Sequence, residues 1–184
     1  MSETKADPLA WGHGPRRFEI FMEPTCPFSA RAFGKIDALL KAAGEDRVTV
    51  ELRLLSQPWH MFSGVVTRAI LAASTMEGGR ETARKVLEAV RAHREEFEFT
   101  DHCAGPNMDA TPNDILAKIR DYSGVDVREA FADPTLDKEV KRHTRYARQN
   151  GAHVTPTFMV DGIIDPSIGS GDPVESWVEK LSLS

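Results

Sequence analysis

The chain has 184 residues, 41% hydrophobic and 28% charged, the balance of a soluble globular protein with one real core. Its formal net charge of −5 argues against nucleic acid as a partner, since that binding rests on basic surface. No apolar run reaches the roughly 20 residues that cross a bilayer, so no membrane association is expected. Met1 to Arg17 is polar and lacks the apolar core of a signal peptide. Only two cysteines occur, Cys26 and Cys103, which excludes a disulfide framework and suits a reducing cytoplasm.

Residues 1–16, with Pro8, Gly12, Gly14 and Pro15, read as a mobile or loosely packed arm. Phe18 to Met22 is an apolar run fit for a buried strand. Pro27 suits a first helical position, where its missing N–H costs nothing. Ala32, Phe33, Ile36, Leu39, Leu40 and Ala43 follow at helical spacing, and Gly44 marks the stop. Val48 to Leu54 alternates apolar and polar residues, a half-buried strand. Two strands joined by a helix should run parallel.

The middle of the chain is helical. Val65 to Met76 marks one helix, broken by Gly78-Gly79, and Val86 to Phe97 marks another. Phe97 to Ala110 reads as a loop holding Cys103, Gly105 and Pro106. Thr111-Pro112-Asn113-Asp114 opens a third helix with a capping hydroxyl, an early proline and an acid in the first turn. A short helix over about 126–132 and a long one over 135–150 follow. Thr157 to Val160 is a strand, Asp161-Gly162 a hairpin turn, and Ile163-Ile164 the return. Asp172-Pro173-Val174-Glu175 reads as a capped start to a last helix.

Chemistry concentrates at Cys26. It stands between the first apolar strand and the first helix, in Thr25-Cys26-Pro27-Phe28-Ser29. Unpaired N–H groups at a helix start favour negative charge, and thiols so placed are lowered towards the thiolate, the reactive form. The spacing is that of a Cys-x-x-Cys redox motif, with Ser29 in the second position. A hydroxyl does not resolve a mixed disulfide, although its O–H would donate to a thiolate.

Two segments carry a family resemblance. One is Cys26-Pro27-Phe28-Ser29 after an apolar strand. The other is Gly151 to Gly162, with Val154-Thr155-Pro156-Thr157 before the hairpin. Together, in a β-α-β … α-β-β-α order split by helices, they resemble the thioredoxin superfamily, DsbA-like branch. The resemblance runs from about Phe18 to Leu183. It implies an α/β, thioredoxin-like fold with an inserted all-helical subdomain. The whole chain, 1–184, would be one domain: core 17–59 plus 148–184, insertion about 60–147, arm 1–16. It implies that Cys26 is the nucleophile and that the Thr155–Pro156 bond is cis. Pro27, Phe28, Thr155 and Pro156 would shape a groove for peptide or glutathione. The family's resolving cysteine is absent at Ser29.

The expected activity is therefore thiol–disulfide oxidoreduction through one nucleophilic cysteine, Cys26, with Ser29 supporting its thiolate. Mixed disulfides would form with glutathione or with protein thiols and disulfides. Glutathione would be a co-substrate, with no tightly bound cofactor and no metal. Two alternatives stay open. One is a glutathione-dependent transferase or isomerase of kappa-class type, a class that usually places serine where Cys26 stands. The other is a redox-inactive module that binds protein in the groove. Cys103 would resolve Cys26 only if a mobile loop brought it near; its plain reading is a free thiol. His60 reads as packing or capping at a helix start, with a place lining the cleft as the alternative. Lys138, Lys141, Arg142 and Arg145 share one helical face, which is read as solvated and would otherwise steer anions.

Overall fold

Five strands form one sheet: β1 (Ala10–Gly12), β2 (Arg16–Met22), β3 (Val48–Leu54), β4 (Thr157–Val160) and β5 (Ile163–Ile164). Their order across the sheet is β1-β3-β2-β4-β5. The computed structural model describes residues 6–98 and 107–183. The loop segment with His102, Cys103, Gly105 and Pro106 lies outside the described residues.

β2 is central and buried on both faces. Phe18, Ile20 and Met22 join the main core, while Phe21 belongs to a smaller cluster on the other face. That is the alternation a strand imposes. β2 and β3 pair in parallel, Arg16 opposite Val48 and Met22 opposite Leu54. α1 (Pro27–Phe33) and α2 (Ile36–Ala43) make the crossover between them. β4 runs antiparallel to β2, with Phe21 opposite Thr157 and Phe18 opposite Val160. The turn from β4 to β5 uses positive φ at both Asp161 and Gly162, the backbone hand that suits a two-residue hairpin.

The helices α3 (Ser63–Ala73), α4 (Arg80–Ala92), α5 (Pro112–Ser123), α6 (Arg128–Phe131) and α7 (Leu136–Gln149) fill the middle of the chain. A 3-10 turn, Arg94–Phe97, follows α4. α5 carries the capping box read from Thr111 and Asp114, each side chain bonding the other's backbone N–H. α8 (Val174–Lys180) closes the chain against the sheet.

Three local expectations are corrected. The N-terminal arm is not loose: β1 pairs antiparallel with β3, and Leu9 and Trp11 are buried. The glycines that read as loop punctuation serve close approach instead. A β-carbon on Gly12, at φ +78°, would stand 2.2 Å from Val48 O. The single helix expected over 27–43 is two, since the turn at Gly34-Lys35 tightens, with Lys35 N–H bonding Ala32 O at 3.1 Å. That break lets Lys35 Nζ reach Ser170 O at 2.7 Å. The last helix has no side-chain cap and starts from Pro173. Asp172 instead accepts from Gly169 N–H at 2.9 Å and from Lys180 Nζ at 2.7 Å.

Trp177 ties α8 to the sheet. Its ring meets Phe18 and Phe158 edge-on, each at 5.4 Å between centroids. Its Nε1–H donates to Gly169 O at 3.0 Å, so the buried indole has its hydrogen bond. On the opposite sheet face, Arg53 bonds Glu19 at 2.8 Å and lies over Tyr146, 4.5 Å from the ring centroid. Tyr146 O–H donates to Glu19 at 3.1 Å. Buried His143 completes this face by accepting Leu54 N–H on Nδ1 at 2.9 Å.

Two outcomes are expected. Trp177→Ala removes a fully packed ring, and should lower the unfolding free energy by about 3–5 kcal/mol in a denaturant titration. His143 is pushed down to about 3 by burial first, then by Arg142 and Arg53. An unfolded histidine titrates near about 6.5, so between those values the unfolded chain binds the extra proton. Its contribution is therefore complete above about pH 6.5 and lost on acidification, with a slope of up to about 1.4 kcal/mol per pH unit. Stability measured from pH 7 to 5 should fall more steeply for the wild type than for His143→Gln.

Candidate active site

The end of β2 runs straight into the cysteine turn. Cys26 N–H donates to Glu23 O at 3.1 Å, which closes the turn. Cys26 then takes the N-cap position of α1 with φ −68° and ψ 127°, and Pro27 fills the first turn. Its carbonyl accepts Ala30 N–H at 2.9 Å, a first-turn bond of the helix. Its side chain makes no capping bond. The thiol turns the other way and donates to Thr155 O at 3.7 Å. The Thr155–Pro156 peptide is cis. Cys26 and the Thr155-Pro156 pair are thus face to face. Cys26 is 5% exposed, so one edge of the residue meets solvent.

The loop before β4 is held from two sides. Gln57 Nε2 donates to His153 O at 3.1 Å, and Ala152 N–H to Ala147 O at 2.9 Å. Arg148 Nη1 lies 3.1 Å from His153 Nδ1. The end of α7 and the segment after β3 therefore anchor Ala152 and His153, just ahead of Thr155.

Ser29 takes a different place from the expected one. It is fully buried, and its Oγ accepts Glu23 N–H at 3.3 Å. It braces the cysteine turn from behind, and the thiol's own bond goes to Thr155. Pro27 and Phe28 lie on the exposed side, and Phe28 is more than half exposed.

The sequence reading gave no role to Glu23 or Thr25, and took His60 first as packing. Glu23 is completely buried. Its Oε2 accepts from Thr25 Oγ1 at 2.8 Å and lies 3.7 Å from His60 Nδ1. Thr25 Oγ1 is 3.3 Å from that same ring nitrogen. Burial raises the Glu23 carboxyl above its ordinary range, against the lowering effect of His60 and Thr25. His60, read as packing at a helix start, belongs to this cluster. The available signal was an acid at the end of an apolar strand, just before a cysteine.

The chain neighbours of the site residues supply exposed apolar side chains, the rim of the site. Trp59 and Met61 flank His60, Val154 precedes Thr155, and Phe28 follows Pro27; all four are more than half exposed. The basic face of α7 lies elsewhere. Lys138, Lys141, Arg142 and Arg145 line a groove of about 370 Å³ with Tyr146 and Gln149, and no residue of the cysteine cluster lines it. Among the described residues no group of three or more His, Cys, Asp or Glu side chains is arranged to hold a metal ion. No described helix is long and apolar enough to cross a membrane.

No family model and no curated protein matches the chain. Solved structures do. A thioredoxin-like oxidoreductase from Silicibacter pomeroyi DSS-3 is 19% identical, covering 95% of this chain and 90% of its own, with a TM-score of 0.68. DsbA2 from Pseudomonas aeruginosa is 15% identical, covering 98% and 96%, at 0.63. These two share the fold. A protein from Pseudomonas syringae, described as a "putative protein-disulfide isomerase", is 63% identical. It covers 95% of this chain and 98% of its own, with a TM-score of 0.93. With a cysteine turn facing Thr155-Pro156 on a sheet of thioredoxin-like fold, the chain belongs to the same family as that Pseudomonas syringae protein.

Proposed function

We propose that the protein is a thiol–disulfide oxidoreductase that works through Cys26 alone on protein disulfides, with a free thiol such as glutathione completing the cycle. The observation that carries this reading is the opposition of Cys26 Sγ and Thr155 O at 3.7 Å, with a buried serine in the second motif position. The name of the Pseudomonas syringae relative points the same way.

The chemistry balances with one protein sulfur. Cys26 thiolate attacks one sulfur of a substrate R–S–S–R′. A Cys26–S–S–R bond forms, and R′–S⁻ leaves and takes a proton from water. A second thiolate then attacks the sulfur of R. The Cys26–S bond breaks, and Cys26 thiolate returns. Ser29 supplies no sulfur for this second step, so the resolving thiol comes from outside. A reducing compartment such as the cytoplasm provides that thiol in abundance.

The rim argues for a polypeptide substrate. Phe28, Trp59, Met61 and Val154 offer apolar surface to side chains beside a substrate cysteine. The Thr155 backbone, already facing the sulfur, is placed to pair with an added extended strand. Glutathione has no large apolar side chain and would use little of this surface.

The reduced protein, mixed with oxidised glutathione and mapped by peptide mass, should gain one glutathione on Cys26. Free glutathione should remove it, and Cys26→Ser should show none at that peptide. A wild-type protein with no adduct at Cys26 would sink the reading. Trp59→Ala should slow exchange with a disulfide-bonded unfolded protein by about tenfold, the equivalent of about 1.4 kcal/mol of lost apolar contact. Its exchange with oxidised glutathione should stay within about twofold. Equal loss on both substrates would remove the rim from substrate binding.

A further inference from the structure

The chain as a whole is acidic, with a net charge of −5, yet one helix face gathers cations. Lys138, Lys141, Arg142 and Arg145 share a face of α7 and are all exposed. With Gln149 and the Tyr146 ring they line the groove of about 370 Å³. The exchange chemistry above does not use it. Many cations elsewhere are answered by acids: Arg16 by Asp161, Arg84 by Asp37, Lys118 by Glu96 and Lys180 by Asp172. In the groove Arg142 has Glu139 at 2.8 Å. Lys141 and Arg145 have no hydrogen bond or ion pair among the described residues.

Two observations tie the groove to the cysteine site. Tyr146, in its wall, stacks on Phe21 with 5.9 Å between ring centroids, and Phe21 lies opposite Thr157, just past Thr155. Gln149, at the end of the groove, precedes Thr155 by six residues, a length of chain that spans at most about 22 Å. That stretch is also drawn in, since Ala152 N–H returns to Ala147 O at 2.9 Å. From Lys138 to Gln149 the helix rises about 16 Å. An extended strand advances about 3.3 Å per residue, so a strand paired with Thr155 needs about seven residues to reach Gln149 and about five more to cover the groove.

We propose that this groove holds an acidic segment of the polypeptide substrate, and so favours disulfides whose cysteine has glutamates or aspartates at that distance along the chain. The inference rests on the protein-disulfide reading above and adds which proteins that reading selects. Charge complementarity commits the groove to this occupant. Lys141 and Arg145 meet incoming carboxylates without breaking an ion pair they already have. The Tyr146 ring offers an apolar wall to the methylenes of a glutamate. The rest of the surface is net negative and repels the same segment, so attraction is confined to one place. A nucleic acid strand carries a charge at every residue and would meet that acidic surface on either side of the groove.

The test uses peptides whose cysteine is held as a mixed disulfide with nitrothiobenzoate. Cys26 thiolate attacks the peptide sulfur, a Cys26–S–S–peptide bond forms, and the nitrothiobenzoate thiolate leaves and is read by its absorbance. Two peptides share the cysteine and a Gly-Ser spacer of about seven residues, then carry about five glutamates or as many glutamines. Reversed-order versions cover the other chain direction. Each rate is divided by that of the same peptide with free glutathione, and Cys26→Ser gives the part owed to Cys103. The glutamate peptide should react about fivefold faster at about 20 mM salt, and within about twofold at about 0.5 M. Lys141→Glu with Arg145→Glu should bring the ratio to about one or below. Lys41→Glu with Lys85→Glu makes the same change in net charge at exposed positions outside the groove, and should keep the ratio. A wild-type ratio near one, a ratio that the groove variant keeps, or one that both double variants lose alike overturns the inference and leaves exchange at Cys26 standing. A short thymidylate strand that inhibits at lower concentration than a free glutamate peptide assigns the groove to nucleic acid and overturns it too. A wild type that reacts with neither peptide overturns the reading beneath it.

Discussion

The antiparallel pairing of β2 with β4 is the constraint on which the site depends. β2 points its C-terminal end where β4 begins, because Phe21 lies opposite Thr157. The residues just after β2 and just before β4 must therefore meet. Cys26 and Thr155 are 129 positions apart in sequence, yet they need only short extensions from one strand pair to face each other. The pairing is secure because β2 is buried on both faces. Slipping β4 by one residue would turn Phe158 away from Phe18 and Trp177 and out of the main core. The geometry of the sulfur is thus enforced by aromatic packing well away from it.

The same strand carries two buried acids with opposite solutions. Glu19 is fully answered: Arg53 bonds one oxygen and Tyr146 the other. Such a pair fixes the register of β2 against β3 and holds α7 over the sheet. Glu23 is answered on one oxygen only. A fold that satisfies one buried carboxylate so completely has the means to satisfy the other. The Glu23 carboxyl is instead raised above its ordinary range by burial, with His60, Thr25 and Ser63 acting against that rise.

Local signals in the sequence were enough for most of the architecture. The alternation in Val48 to Leu54, the apolar run of β2 and the capping box at Thr111 each act within a few residues, and each is seen in the structure. The failures were non-local. β1 has three residues and no periodicity of its own; it exists because β3 offers it an edge. Gly12 then looked like a loop breaker, when it is there to let Val48 O come close. The same holds at the site. Cys26 was legible from its strand-to-helix position, but His60 lies beyond β3, and its distance to Thr25 is a tertiary fact. Ser29 was legible as a missing sulfur, but not as the acceptor for Glu23 N–H. A cytoplasmic setting is an expectation from the sequence alone, to which the described helices add only that none is long and apolar enough to cross a membrane.

Burial of Ser29 bears on the choice between catalyst and passive binder. Here the serine hydroxyl holds Glu23 N–H, Glu23 O holds Cys26 N–H, and Cys26 Sγ–H points at Thr155 O. Each bond fixes the next, and the chain ends on the sulfur. A groove that only bound peptide would need the Thr155 backbone and the apolar rim, and neither depends on where Sγ points. The ordered path from Ser29 to Sγ is accounted for when the sulfur must meet an incoming disulfide in one orientation, which is the demand of in-line exchange.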